Sequence, residues 1–246
     1  QENLDEIERI AQDPTLPTFE NTIAAQERAG RTASRVFATY SVWAGTMSTP
    51  EFQVVERRMA PRLAAFSDRI TQNAALFRRI EAVYAAREGA GLTPEQKRLT
   101  WLYHTTFVRA GARLDAAGKR RVAEINEQLA ALFTRFSQNI LADETNLWLV
   151  LEREADLDGL PAFVREAAAA AAAQRGIAGK WVIANTRSAM EPFLTFSCRR
   201  DLREKAWRMF VNRGDNGGDH DNNAVISQVL ALRAERARLL GFPTHA

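Results

Sequence analysis

The chain has 246 residues, 46% hydrophobic and 26% charged, with a formal net charge of +3. That is enough apolar content for a sizeable core, and the alanine- and leucine-rich make-up favours helix over sheet. No stretch approaches the roughly 20 uninterrupted apolar residues of a membrane span, so no membrane partner is expected. The single cysteine, Cys198, excludes an internal disulfide and a multi-cysteine zinc site, and is expected to be a small buried side chain.

The N-terminus, QENLDEIERI, is acidic and lacks the basic-then-apolar order of a secretion signal. It also lacks an initiator methionine, so residues of the native product are expected to precede it, a signal peptide among the possibilities. Cytoplasmic residence is the expectation, with the periplasm open if such a peptide was removed. In LPTFENTIAAQERAG, Thr18 is an N-cap candidate, and Phe19, Ile23, Val36, Phe37 and Tyr40 form an expected apolar stripe. A new helix starts at STPEFQVVERRM, with Thr49 as cap, Pro50 at the first helical position and Glu51 in the first turn. Phe52, Val55, Met59, Leu63 and Phe66 keep helical spacing along it. Another helix is predicted from Asn73 to about Glu88, ending in GAG.

Thr93 and Gln96 make a capping box around Pro94, opening the next helix. Beyond Asp115 comes the longest periodic run, in which Val122, Ile125, Leu129, Leu132, Phe136 and Ile140 predict a long helix buried along one face. The period then changes. NLWLVLE (146–152) and GKWVIANT (179–186) read as short strands, rich in branched and aromatic residues. Between them an alanine-rich helix offers a slim face for close packing. Helices resume over about 189–212 and 222–240. The RGDNGGDHDNN loop between these last two is expected to be a flexible connector, with Asp221 or Asn222 capping the final helix. Gly241 stands where a C-cap belongs. The fold class is therefore mainly α, a multi-helix chain with a small two-stranded β element around 146–186. Residues 1–145 and 187–246 form its helical parts.

Chemistry is sparse. There is no G-x-S-x-G elbow, no phosphate-cradling glycine loop and no dinucleotide fingerprint. The histidines are His104, His220 and His245, and none stands in the H-E-x-x-H spacing that lets one helix supply two zinc ligands. His104 reads as a helix-face histidine with a partner, His220 as a solvated loop residue, and His245 as no stranded zinc ligand. The GDNGGDHDNN loop (214–223) lacks the spaced acids and terminal Glu of an EF-hand, so no calcium is expected there. Arg187, Arg199, Arg200, Arg203, Lys205, Arg208 and Arg213 outnumber the acids of 187–213. A solvated face is the expectation rather than nucleic-acid binding, which would show steep salt dependence. No catalytic or metal-binding residue is assigned, and no substrate-binding residue can be identified.

The wording of the chain carries more. PTFENTIAA, LTPEQKRLTWLYHTTFVRAGARL, INEQLAALFTRFSQNIL, GKWVI, LREKAWRMFVNRG and LRAERARLLGFPTHA, in this order and spacing, resemble the N-terminal third or so of the thimet oligopeptidase-like zinc metallopeptidases. FVRAGARL and RGDNGGDHDN tilt the resemblance toward bacterial peptidyl-dipeptidases over oligopeptidase A. It runs from about residue 14 to 246. Such enzymes are helical, two-lobed around a deep channel, and carry zinc on an H-E-x-x-H helix and a later Glu.

That motif is absent from these residues, so none of the family's catalytic residues is carried over. The resemblance implies that residues 1–246 are an N-terminal channel-wall and gate region. The parent would use zinc to remove dipeptides from the C-termini of short unfolded peptides. The segment alone would hold no zinc and be inactive. Its partner would be the C-terminal catalytic lobe of the same chain, and an exposed lobe interface would favour self-association. The alternative is a stand-alone α-helical module that binds peptides or proteins without catalysis.

Overall fold

The computed structural model describes residues 1–177 and 179–245. They are mainly helical and divide into two compact units: residues 1–134 with 229–246, and residues 135–228.

In the first unit, α1 (Glu2–Ala11) is an amphipathic helix that turns Ile7 and Ala11 into the core. The next helical segment, α2, opens with a π-type turn, Phe19–Ile23, and continues as Ala24–Arg28. Its N-terminus is closed reciprocally: Asn21 N–H donates to Thr18 Oγ1 (3.2 Å), and Thr18 N–H donates to Asn21 Oδ1 (2.8 Å). The expected stripe from Phe19 to Tyr40 is not one helix face. Gly30 adopts φ 73°, ends the segment, and starts α3 (Arg31–Thr46) in a new direction. A β-carbon at Gly30 would lie 2.6 Å from Asn3 Nδ2, and its N–H donates to Glu6 Oε2 (2.6 Å). Ile23 is therefore fully buried while Val36 is exposed.

α3 and α4 (Pro50–Thr71) meet along an aromatic seam, Phe37 on Phe66 and both Tyr40 and Trp43 on Phe52. Thr49 caps α4 by accepting from Phe52 N–H, with Pro50 behind it. Of the expected apolar positions on α4, Phe52, Met59, Leu63 and Phe66 are half-buried and Val55 is exposed. α5 (Ala74–Ala86), capped by Asn73, and α6 (Pro94–Arg109), capped by Thr93 and Gln96, enclose the core of Ile23, Leu76, Phe77, Ile80, Val83 and Phe107. Arg79, 6% exposed, reaches out of α5 to the carbonyls of Asp13 (2.6 Å) and Thr15 (2.9 Å) and to Asn21 Oδ1 (3.0 Å). This pins the loop between α1 and α2.

The long helix α7 (Ala116–Asn146) buries Val122, Ile125 and Leu129 as the periodicity predicts. Further along, the pattern departs from expectation. Phe136 is exposed, and the buried side chains are Asn139 and Asp143.

In the second unit, β1 (Trp148–Leu151) and β2 (Trp181–Ala184) pair antiparallel with Trp148 opposite Ala184, both shorter than the predicted strands. The chain passes from β1 through a 3₁₀ turn, Glu154–Leu157, into α8 (Ala162–Gln174). This helix buries Val164, Ala168 and Ala172, spaced four apart, so its slim face packs on the sheet. In place of one helix over 189–212 there are two, α9 (Arg187–Phe196) and α10 (Arg200–Val211). The break comes at Ser197, where the backbone is extended. Met190, Phe193, Leu202 and Ala206 close this core with Leu151, Leu157, Leu160 and Ile183. The last helix, α11 (Asn223–Leu239), ends as predicted: Gly241 at φ 79° lets its N–H reach Arg238 O (3.0 Å) and Phe242 N–H reach Ala237 O (2.9 Å).

Candidate functional site

The residues weighed for chemistry do not converge. Among the described residues, no three His, Cys, Asp or Glu side chains gather into a metal-sized group. His104 lies buried on α6, stacked on the Tyr84 ring at 3.9 Å between centroids, with Nε2 3.4 Å from Arg113 Nη2. Burial, and then the Arg113 charge, push its pKa below the ordinary imidazole value. A neutral imidazole packed between aromatic rings is a core residue, and His104 fits that reading. His220 is exposed in the loop. The donor set therefore does not fit the zinc site of the resemblance.

Two expectations require correction. Cys198 is exposed, not buried. It lies in the break between α9 and α10, where its N–H donates to Asp158 O (2.9 Å) and the core is filled by its neighbours instead. The 214–222 loop is a bonded structure rather than a loose connector. Asp143 Oδ2 accepts from Gly214 N–H (2.7 Å) and Asn216 Nδ2 (2.8 Å), and Asn222 N–H donates to Gly214 O (2.7 Å). Asn222 is turned inward, accepting from Asn139 (2.9 Å) and donating to Phe136 O (3.2 Å). Asp221 Oδ1, in turn, accepts from Asn223 N–H at the start of α11. Much of the basic segment is paired locally: Arg187 with Glu191, Arg208 with Glu204, Arg213 with Glu144, and Arg199 with Asp156 and Asp201. Asp156 is buried. Burial works against its charged form, but N–H groups of Arg153 and Glu152 and the Arg199 guanidinium outweigh it and hold the carboxyl below its usual range.

One concave feature of the first unit was not foreseen from the sequence. A cleft of about 790 Å³ opens between α4, α6, α7 and the end of α11. Its floor is apolar, from Val122, Leu129, Phe133 and Leu240, and its polar groups include Asp68, Asn126, Arg109, Arg236 and His245. The turn at Gly241 brings Phe242, Thr244 and His245 back to its rim. Asn126 bridges the charged pair, donating to Asp68 Oδ1 (2.8 Å) and accepting from Arg236 Nη1 (2.8 Å). Asp68 Oδ2 is buried without a hydrogen-bond partner. Burial, with Glu127 nearby, raises the Asp68 pKa, against the opposing pull of Asn126 and Arg236. Burial and the like charge of Arg233 lower that of Arg236. Burial together with Arg233 and Arg236 lowers that of His245. The cleft thus presents guanidinium groups above an apolar floor, with its one buried acid already engaged by Asn126.

No protein-family model matches the chain. Dipeptidyl carboxypeptidase of Escherichia coli (strain K12) is 34% identical over 241 residues, 98% of this chain and 35% of that protein. The Salmonella typhimurium dipeptidyl carboxypeptidase is 33% identical over the same length, 98% of this chain and 35% of that protein. Oligopeptidase A of Haemophilus influenzae is 30% identical over 244 residues, 97% of this chain and 35% of that protein. The chain matches a segment of the thimet oligopeptidase-like peptidases. It spans about a third of the length of the curated relatives it matches. Within this family the dipeptidyl carboxypeptidases are slightly more similar to it than oligopeptidase A, the branch toward which FVRAGARL and RGDNGGDHDN tilt the sequence. No described helix is long and apolar enough to cross a membrane.

Proposed function

We propose that the chain is the N-terminal region of a zinc-dependent peptidyl-dipeptidase, contributing part of the wall and gate of its substrate channel. The parent would release dipeptides from the free C-termini of short, unfolded peptides. The observation that carries this reading is the 34% identity to a dipeptidyl carboxypeptidase along 98% of the chain, within 35% of that enzyme's length. Among the described residues no metal-sized group of side chains gathers; in this reading the zinc and the water-activating carboxylate would come from a C-terminal lobe. Val36 and Trp43 of α3, Met47 just past it and Val54 of α4 are exposed, apolar surface suited to cover by a neighbouring lobe.

The test begins with the complete gene, which should encode His-Glu-x-x-His downstream of residue 246. The full-length product should release dipeptides from a peptide with a free C-terminus, read by mass spectrometry, and lose that activity to a zinc chelator. The 246-residue segment alone should be inactive. A full-length product without that motif, or one that cleaves only internal bonds, would overturn the assignment.

A further inference from the structure

The 214–222 loop of the second unit holds a pair of groups that can react with each other. Of the chain's asparagines, only Asn216 is followed by glycine. An asparagine side chain and the next backbone nitrogen can close a cyclic imide, and a side chain on that next residue hinders the approach. Gly217 has none, adopts φ 73°, and no described atom lies within 4 Å of where its β-carbon would be. Asn216 and Gly217 are both exposed, so water reaches them.

In the closed loop the two reacting groups are tied to other partners. Asn216 Nδ2 donates to Asp143 Oδ2 (2.8 Å) and to Asn212 O (2.9 Å). Gly217 N–H, the source of the nucleophile, donates to Asp221 Oδ2 (3.1 Å). Asp221 is itself fixed, its Oδ1 accepting from Asn223 N–H at the start of α11 (2.8 Å). Attack on the Asn216 Cγ needs the amide to turn and the nitrogen to leave Asp221, so the loop must open first. Asp143 makes that opening one-way. It is 7% exposed, and the oxygen that holds Asn216 also accepts from Gly214 N–H (2.7 Å). A carboxylate in place of the Asn216 amide would set acceptor against acceptor there and add like charge beside a buried acid.

We propose that Asn216 is a site of spontaneous deamidation, gated by opening of the 214–222 loop and locking the loop open afterwards. The Gly217 nitrogen bonds to Asn216 Cγ, the Cγ–Nδ2 bond breaks, and Nδ2 leaves as ammonia with the proton from Gly217. Water then opens the imide, at Cγ to an aspartyl residue or at the backbone carbon to an isoaspartyl one. Either product carries a carboxylate that has no proton to give Asp143. The isoaspartyl form also adds a carbon to the backbone between Gly214 and Asn222, which are joined by Asn222 N–H on Gly214 O (2.7 Å). The loop thereby keeps a permanent record of having opened.

The experiment incubates the 246-residue chain at neutral pH in heavy-oxygen water, folded and in unfolding urea, and follows residue 216 by peptide mass spectrometry. The label enters only where the imide has been hydrolysed. The folded chain should convert at least about tenfold more slowly, as local opening limits the reaction. Asp221→Ala, which releases the Gly217 N–H, should speed the folded reaction about tenfold and leave the unfolded rate unchanged. Gly217→Ala should slow the unfolded reaction about tenfold or more. Asn216→Asp stands for the product and Asn216→Ala for simple loss of the bond. Amide exchange at Gly214 and Asn222 should rise in both, about tenfold further in Asn216→Asp.

Conversion at Asn216 no faster than at the other asparagines of the unfolded chain, or unaffected by Gly217→Ala, would overturn the site. Equal folded and unfolded rates would overturn the gating. So would an unchanged or slower folded reaction in Asp221→Ala, because Asp221 would then be a bystander or the base rather than the restraint. Exchange in Asn216→Asp no faster than in Asn216→Ala would overturn the lock.

Discussion

Replacing Gly159 by alanine tests how the second unit is held together. Gly159 follows the 3₁₀ turn and adopts φ 81°. A β-carbon there would lie 2.4 Å from Phe196 O, 2.7 Å from Cys198 Sγ and 2.9 Å from Cys198 N. Those atoms belong to the break between α9 and α10, which Cys198 N–H ties to Asp158 O. Two costs combine. The left-handed backbone costs an alanine about 1–2 kcal/mol, and forcing backbone atoms apart in a packed region adds about 1–3 kcal/mol. Leu157, Leu160 and Phe193 are all buried nearby, so the displaced segment has no soft direction to move. The expected loss is about 2–5 kcal/mol. Gly176→Ala is the control. Its φ is 71°, yet nothing lies within 4 Å of its β-carbon, so only the backbone cost of about 1–2 kcal/mol remains. Urea unfolding with amide exchange read over 148–211 separates this unit from the other. A Gly159→Ala loss no larger than that of Gly176→Ala would refute the close approach.

Three further outcomes follow from the same geometry. Arg79→Met should destabilise the first unit by about 3 kcal/mol, because three hydrogen bonds to the 13–21 loop vanish and carbonyls are left unpaired; exchange protection over 13–23 should fall first. His104 has a lowered pKa in the fold, so the unfolded chain takes up its proton first. Stability is then full above about pH 6.5 and declines as the pH falls below it, and His104→Gln should flatten the difference in urea midpoint between pH 7.5 and 5.5. The exposed Val36, Trp43 and Val54 should make the 246-residue segment associate at high concentration, and Val54→Lys should return it toward monomer in sedimentation velocity.

The sequence reading succeeds where one residue type dictates one local geometry. Thr93 with Gln96 could only close a helix N-terminus, and the structure shows both bonds of that box. Gly241 past a periodic run could only be a left-handed stop. The reading fails where tertiary contacts decide. α1 goes unassigned because its acidic face hides the spacing of Ile7 and Ala11. The stripe through Gly30 breaks because a glycine that Asn3 and Glu6 approach closely looks, in sequence, like any other. Along α7, an apolar period extended past Leu132 misses that Asn139 and Asp143 are the buried positions. Their partners, Asn222 and Gly214, lie far away in the chain.

The same distinction explains why the family is legible and the site is not. Six phrases, five helical and one from β2, identify the relatives because their order is improbable, not because any one of them performs chemistry. A search for chemistry among the polar residues meets architecture instead: Arg79 holding a loop, Asp143 and Asn222 closing another, Asp156 fastened by Arg199. Each is buried or half-buried and has its partners within the fold. The cleft of the first unit, where Asn126 links Asp68 and Arg236, differs only in how it is assembled. Its members come from residues 64–71, 106–110, 122–133 and 236–245, so no spacing along the chain announces it.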